Sequence, residues 1–191
     1  MHPRVHHPNR RVPSRQFNPG HESIAAVSTW HRVAGALKGV RLLEVHCDGS
    51  GEARAGRPGG WAFVIVRKEQ VLAQGSGGAK VTTSLVMELE AALAGLRAVV
   101  KHGWHLQHVV ELISDSSIAL DVAAGRFVPK THRVLAQALR DLAIAADAKT
   151  RWVRGHSGVK WNELVDAAAE KAKQDGKPSP RPSPPRGRGR Q

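Results

Sequence analysis

The stretch "VHCDGSGEARAGRPGGWAFVIV", residues 45 to 66, joins two apolar runs through a polar, glycine-rich segment. Apolar runs bounded in this way by glycine and proline predict two strands of a hairpin. Asp48 closes the first strand, and an aspartate at such a place is usually a turn former whose side chain binds nearby backbone donors. The stretch alone leaves two interpretations of Asp48 open: a turn residue, or an acid held at a strand end for chemistry.

The flanking sequence extends this hairpin into an α/β pattern. "RLLEVHC", "GWAFVIV" and "VLAQGSGGA" predict three consecutive antiparallel strands. From Ser84 to His102, apolar residues recur three or four positions apart, which predicts a helix ended by Gly103. The remaining pattern predicts a strand at 108–113, helices at 116–124 and 131–147, a strand at 150–155 and a helix at 160–174. This order predicts an α/β fold with a five-stranded mixed sheet, three antiparallel strands and then parallel ones, flanked by helices.

The positive charge is concentrated at the two ends of the chain. The formal net charge is +13, yet residues 36 to 175 hold 19 Lys and Arg against 15 Asp and Glu. We therefore expect a globular domain over 36–175, a basic disordered extension over 1–35, and a disordered Pro/Arg/Ser/Gly tail over 176–191. Basic tails attract phosphate backbones without reading sequence, although simple solubility explains them equally well.

Cysteine content and hydropathy limit where the protein acts. Cys47 is the only cysteine, so an intrachain disulfide is excluded, and its apolar neighbours predict a buried, inert thiol. No apolar signal-peptide core follows Met1, and the apolar run at 61–66 is far too short to cross a membrane. We expect a cytoplasmic monomer without a membrane partner.

Four carboxylates occupy positions that an open sheet brings together. Asp48 and Asp115 close the first and fourth strands, Glu88 lies near the start of the first long helix, and Asp166 lies in the last helix. Strand ends and helix starts in open sheets converge on one crevice. Carboxylates held close together repel each other unless a cation lies between them, and hard divalent cations prefer oxygen ligands. The pattern predicts a metal site.

The last helix and the loop before it add polar residues to this crevice. Asn162 and Asp166 are four residues apart and share one helix face, while we expect the opposite side, with Leu164, Ala167 and Ala168, to pack on the sheet. His156 lies in a Gly-His-Ser-Gly loop whose glycines allow it to reach the crevice. A solvated surface histidine is the alternative.

Together these motifs resemble ribonuclease H, type I. The match covers about residues 40 to 174 and runs, in order, through Asp48-Gly49-Ser50 with Gly59-Gly60-Trp61-Ala62, Met87-Glu88-Leu89, Ser114-Asp115-Ser116, and Gly155-His156-Ser157-Gly158 with Asn162-Glu163 and Asp166. Each motif is weakly specific, but four in this order are strongly specific. The resemblance implies a ribonuclease H-like fold.

The resemblance also implies a mechanism. Asp48, Glu88, Asp115 and Asp166 would hold two Mg²⁺ ions about 4 Å apart, with Mn²⁺ as an alternative. One ion would activate the attacking water and the other would stabilise the leaving 3′ oxygen. The expected products carry 5′-phosphate and 3′-hydroxyl ends. His156 would assist proton transfer or product release.

The implied substrate is an RNA-DNA hybrid whose RNA strand is cut. Recognition of RNA depends on 2′-hydroxyls in a shallow minor groove, which small polar groups can reach. Gly49, Ser50, Ser116 and Asn162 occupy matching positions, and Thr83 would seat a phosphate of the DNA strand.

Two departures from the family pattern concern substrate binding. Ser84-Leu85-Val86 stands where many relatives have Asn-Asn-Arg, and the region between Asp115 and His156 lacks the basic, Trp-containing helix of some relatives. We hypothesise that the basic tails compensate. Two alternatives stay open: a non-catalytic module that binds RNA or hybrid, and a DNA-cutting nuclease of the transposase or integrase kind.

Overall fold

The computed structural model describes residues 41–54 and 56–176. The extension predicted for 1–35 lies outside the described residues, as does the predicted tail after Gly176. The domain bounds therefore stay predictions.

The described residues form five strands and four α-helices. In chain order these are β1 (Leu42–Ser50), β2 (Arg57–Arg67), β3 (Gln70–Thr82), α1 (Ser84–Lys101), β4 (Val109–Ser114), α2 (Ser117–Ala123), α3 (Arg133–Ala145), β5 (Lys149–Trp152) and α4 (Lys160–Asp175), with a short 3-10 turn at Trp104–Leu106. β2 starts earlier than predicted because a register shift between Arg57 and Gly59 accommodates the intervening proline. None of the helices in this described part is long and apolar enough to cross a membrane.

The sheet has the strand order β3-β2-β1-β4-β5. β1 and β3 each pair with β2 in antiparallel fashion, whereas β4 is parallel to β1 and β5 is parallel to β4. This confirms the predicted mixed sheet. It also places β1, the strand that ends in the Asp-Gly-Ser segment, at the centre, with its carboxyl end beside that of β4.

Alternation along the strands divides the core between the two faces of the sheet. Leu43, Val45 and Cys47 of β1 point into the larger cluster, which α1, α2 and α3 cover. On the other face, Val64 and Val66 of β2 lie in the smaller cluster under α4. Cys47 is a buried free thiol, as its neighbours predicted.

The packed face of α4 differs from the sequence prediction. The helix buries Trp161, Val165 and Ala169 against the sheet, with Asn162 beside them. Leu164 is 38% exposed and Ala167 is exposed, so the predicted packing through these two residues is wrong, whereas Ala168 does pack against the smaller cluster. The side of α4 that carries Asn162 and Asp166 is therefore turned towards the sheet.

A glycine in β2 allows α4 to approach this closely. A Cβ atom at Gly60 would lie 2.2 Å from the carbonyl oxygen of Ala169 and 2.4 Å from the amide nitrogen of Lys173. Any larger residue would push the helix away from the strand. The main chains of β2 and α4 are thus in direct contact beside the end of β1.

Candidate active site

Three carboxylates meet at the carboxyl end of the central strands. Asp48 comes from β1, Asp115 follows β4, and Glu88 comes from the second turn of α1. One carboxylate oxygen from each lies within 4.8 Å of the others. Because β1 and β4 are parallel neighbours, their ends deliver both aspartates to the same edge of the sheet. The structure thus brings together three of the four acids that the sequence singled out.

Direct contact between main chains sets the distance between β1 and α1. A Cβ atom at Gly49 would lie 2.3 Å from the amide nitrogen of Glu88 and 2.4 Å from the carbonyl carbon of Met87. Only glycine allows such an approach. Asp48 and Glu88 therefore extend from two backbone segments that touch, and their spacing depends little on side-chain packing.

Burial and mutual repulsion make these carboxylates unusually basic. Burial, reinforced by the charge of Asp115, raises the pKa of Asp48 to about 7, although the Gly49 N–H donates a 2.8 Å hydrogen bond to Asp48 Oδ1. Burial and the charges of Asp48 and Asp115 raise the pKa of Glu88 to about 9. Two negative groups are costly here without a positive partner.

The donor set fits a hard divalent cation. All three groups offer carboxylate oxygens, the ligands that Mg²⁺ and Ca²⁺ prefer. Glu88 Oε2 is buried and has no hydrogen-bond partner among the described residues. A cation in the cluster would satisfy this oxygen and remove the repulsion that raises the two pKa values.

Asp166 and His156 form an adjoining group with Glu163. Their ligand atoms also lie within 4.8 Å of one another, and His156 Nδ1 is 3.4 Å from Asp166 Oδ2. Asp166 in turn raises the pKa of Asp48 through its charge and a hydrogen bond. Asp166 thus connects the histidine to the carboxylate cluster, so the fourth predicted acid and the predicted histidine lie beside the other three.

The loop that carries His156 is exposed and is tied to α4. The side chain of His156 is 80% exposed, and its φ of 51° is in the left-handed region. The Gly158 N–H donates to Glu163 Oε1 at 3.1 Å, which ties the loop to the first turn of α4. The sequence motif contained Glu163 without a role for it. Its position three residues before Asp166 was the available signal.

Trp152 is a further residue at the site that sequence reasoning missed. Its Nε1–H donates a 2.8 Å hydrogen bond to the main-chain carbonyl of Asp115. Trp152 ends β5, the neighbour of β4, so the bond joins the ends of two adjacent strands. The indole supports the segment that carries Asp115.

The predicted substrate-binding residues occupy three kinds of position. Gly49 and Ser50 end β1 beside the carboxylates, whereas Asn162 is buried, with a side-chain Oδ1 that has no partner among the described residues. Thr83 and Ser116 are the N-cap residues of α1 and α2, where each hydroxyl accepts a backbone N–H at 3.3 Å. Their contacts with substrate stay predictions.

The fold and the site define a class: an α/β domain with a candidate divalent-metal site where its central strands end. Comparison with known families and proteins identifies the family within this class.

The family model for RNase H matches residues 41–174. The ribonuclease H of Anaeromyxobacter sp. (strain K) is 32% identical over 145 residues, covering 65% of this chain and 76% of the relative. That of Granulibacter bethesdensis is 30% identical, covering 71% and 94%. The chain belongs to the ribonuclease H family.

Solved structures agree on the fold. RNase H1 from the archaeon Halobacterium salinarum superposes with a TM-score of 0.59 at 23% identity, covering 70% of this chain and 98% of that one. LC11-RNase H1, solved in complex with an RNA/DNA hybrid, gives a TM-score of 0.54 at 23% identity and covers 68% and 98%. Family and fold together support nuclease activity on RNA-DNA hybrids.

Proposed function

We propose that this protein is a metal-dependent endonuclease that hydrolyses the RNA strand of RNA-DNA hybrids and leaves 5′-phosphate and 3′-hydroxyl ends. The observation that carries the proposal is the cluster of Asp48, Glu88 and Asp115, whose carboxylate oxygens lie within 4.8 Å of one another in a ribonuclease H fold. A pure binding module gains nothing from negative charge next to phosphates.

The residues proposed to hold two Mg²⁺ ions, or Mn²⁺ in their place, are Asp48, Glu88, Asp115 and Asp166. When bound, such ions supply water activation and charge neutralisation at the phosphate. The raised pKa values of Asp48 and Glu88 support this assignment because both carboxyls lie in a place that lacks a positive partner among the described residues.

His156 is proposed to move protons between the site and solvent. Its imidazole is highly exposed on one side and contacts Asp166 on the other, at 3.4 Å. An imidazole nitrogen can accept a proton and release it to water, which suits a side chain placed between an acid and solvent.

The proposed substrate contacts are Gly49, Ser50, Ser116 and Asn162 towards the RNA strand, and Thr83 towards a phosphate of the DNA strand. Gly49 is half-buried and has no side chain, which would let a strand approach its main chain closely. Thr83 and Ser116 use a lone pair of their hydroxyls for capping, and the hydroxyl proton remains able to bind a phosphate or sugar oxygen.

Asp48→Asn and Asp115→Asn test the proposal. Each should abolish Mg²⁺-dependent cleavage of a labelled hybrid while the circular dichroism spectrum stays that of a folded protein. Asp141→Asn, an exposed acid on α3 bound to Gln137, removes the same charge elsewhere and should leave cleavage unchanged. Cleavage that survives in either site variant would reject the assignment.

A substrate panel separates the alternatives. We expect cleavage of RNA-DNA hybrid but of neither duplex DNA nor duplex RNA. Cutting of duplex DNA would favour a transposase-like or integrase-like nuclease, and binding of hybrid without any cleavage would favour a non-catalytic module.

A further inference from the structure

β1 and α4 run side by side with matched spacing. Side chains two residues apart on a strand point to the same face, about 6.8 Å apart, and residues four apart on a helix share a face, about 6 Å apart. Asp48 and Ser50 on β1 therefore face Asp166 and Glu170 on α4. The first pair belongs to the carboxylate group described above, and the second pair lies one step further along.

Ser50 and Glu170 are joined by a short hydrogen bond whose donor and acceptor are both determined by the neighbouring groups. Ser50 Oγ donates to Glu170 Oε2 at 2.6 Å. Lys173 Nζ donates to Ser50 Oγ at 3.3 Å and to Glu170 Oε2 at 3.0 Å. An ionised carboxylate has only acceptors, and an ammonium group has only donors. The single proton of the Ser50 hydroxyl is therefore committed to Glu170.

Glu170 remains ionised in this arrangement. The hydrogen bond from Ser50, followed by those from Lys173 and Gln174, lowers the pKa of Glu170 to about 2. The direction of the hydrogen bond from Ser50 is thus fixed throughout the neutral pH range. Ser50 Oγ keeps one lone pair beyond the one that Lys173 uses, and that lone pair can only accept.

We infer that Glu170 is a specificity-determining positioning residue: by holding the proton of Ser50, it makes that hydroxyl an obligatory acceptor for the 2′-hydroxyl of an RNA strand. A ribose 2′-hydroxyl has a proton to donate to Ser50, whereas deoxyribose has none. The inference rests on the proposed function, and it assigns to Glu170 a part of the discrimination between RNA and DNA.

A purely structural role for Glu170 makes a different prediction. Glu170 and Lys173 form an i, i+3 ion pair on a helix surface, where the glutamate side chain is 42% exposed. Such pairs contribute little to stability. Loss of a structural pair would affect every substrate equally, whereas loss of the acceptor role would affect only substrates that carry the 2′-hydroxyl at the contacted position.

The test measures cleavage of hybrids in which one ribonucleotide at a time, on either side of the cleavage site, is replaced by its 2′-deoxy form. For the wild-type full chain, we expect one position at which this replacement raises KM about fivefold, the size of one lost hydrogen bond. In Glu170→Ala and in Ser50→Ala the same replacement should change KM less than twofold, because the acceptor is no longer oriented or is absent.

Three further variants distinguish the inferred role from a folding defect. Glu170→Gln keeps the volume and an amide oxygen that can still accept from Ser50, so it should keep part of the KM penalty, as should Glu170→Asp. Asp175→Ala removes an exposed carboxylate from the same helix and should keep the full penalty. Melting temperatures of all variants report their folding.

The outcomes separate the inference from the proposed function. A KM penalty of equal size in wild type and Glu170→Ala, with hybrid cleavage intact, overturns the inference alone. Absence of hybrid cleavage in the wild type overturns the proposed function, and the inference with it.

Discussion

Replacing Asp48 by asparagine should stabilise the metal-free protein, although we expect the same change to abolish cleavage. Asp48 is 6% exposed, and its carboxyl lies within reach of the charges of Asp115 and Asp166. Asparagine has the same shape, and its Oδ1 can still accept the 2.8 Å hydrogen bond from the Gly49 N–H. The substitution thus removes the negative charge and little else.

The pKa of Asp48 gives the size of the effect. Burial and the neighbouring acids raise it from its ordinary value of 3.8 to about 7. At 1.36 kcal/mol per pKa unit, ionising Asp48 in the folded protein costs about 4 kcal/mol more than in the unfolded chain. Asparagine is still a buried polar group, so we expect it to recover about half, about 2 kcal/mol or about 5 °C in Tm.

The same pKa shift determines the pH dependence. The folded-state pKa of Asp48 lies above its unfolded value. The ionisation of Asp48 therefore costs no stability below about pH 4, and this cost grows as the pH rises towards about 7. Glu88 acts in the same direction up to about 9. Between pH 5 and pH 8 the wild type should therefore lose more stability than Asp48→Asn does.

The assay is thermal denaturation in EDTA at pH 5 and pH 8, with Asp141→Asn as the matched control and Mg²⁺ added in a second series. We expect the gain in Asp48→Asn to be larger at pH 8, and Mg²⁺ to stabilise the wild type more than the variant. A variant less stable than wild type at pH 8, or a difference that does not depend on pH, would refute the reasoning.

Three further predictions follow from the contacts of the site and from the charge at the chain ends. Gly49→Ala should lose about 3 kcal/mol of stability and most activity, because its Cβ would overlap the main chain of α1. Gly176→Ala is the control and should be tolerated, since the nearest neighbour of its Cβ would lie at 3.4 Å. Urea denaturation of both variants measures the difference in stability. Trp152→Phe should lower kcat about fivefold with little change in KM, since it removes the hydrogen bond to the Asp115 carbonyl, and an unchanged kcat would contradict the supporting role. Deleting residues 1–22 and 177–191 should raise KM for hybrid at low salt and have little effect at high salt; unchanged affinity at low salt would reject the compensation hypothesis.

The sequence was most informative where the spacing of residues along the chain determines which face or end of an element they occupy. Apolar runs bounded by glycine and proline predicted the strands correctly, and the three-to-four spacing through Leu89, Ala92, Leu96 and Val99 predicted the buried face of α1. The positions of Asp48 and Asp115 at strand ends predicted their proximity, because parallel neighbouring strands end at the same edge of a sheet.

The sequence was least informative where two helix faces are equally apolar. α4 carries Leu164 and Ala167 on one side and Trp161, Val165 and Ala169 on the other, so the presence of apolar residues does not by itself select the packed face. Contact between Gly60 and the α4 main chain selects it, and this contact is tertiary. The bond between Ser50 and Glu170 was missed for the same reason, because it joins residues 120 positions apart.

The glycine contacts at Gly49 and Gly60 have a consequence for how such a chain can diverge. Where helix and strand touch through their main chains, the distance between the acids is set by the dimensions of the main chain, which are the same in every sequence. Core side chains elsewhere can then be exchanged over long periods without displacing the carboxylates, provided that these two positions stay free of a Cβ atom. An acidic site built in this way tolerates many changes of sequence, in agreement with a fold shared at 23% identity.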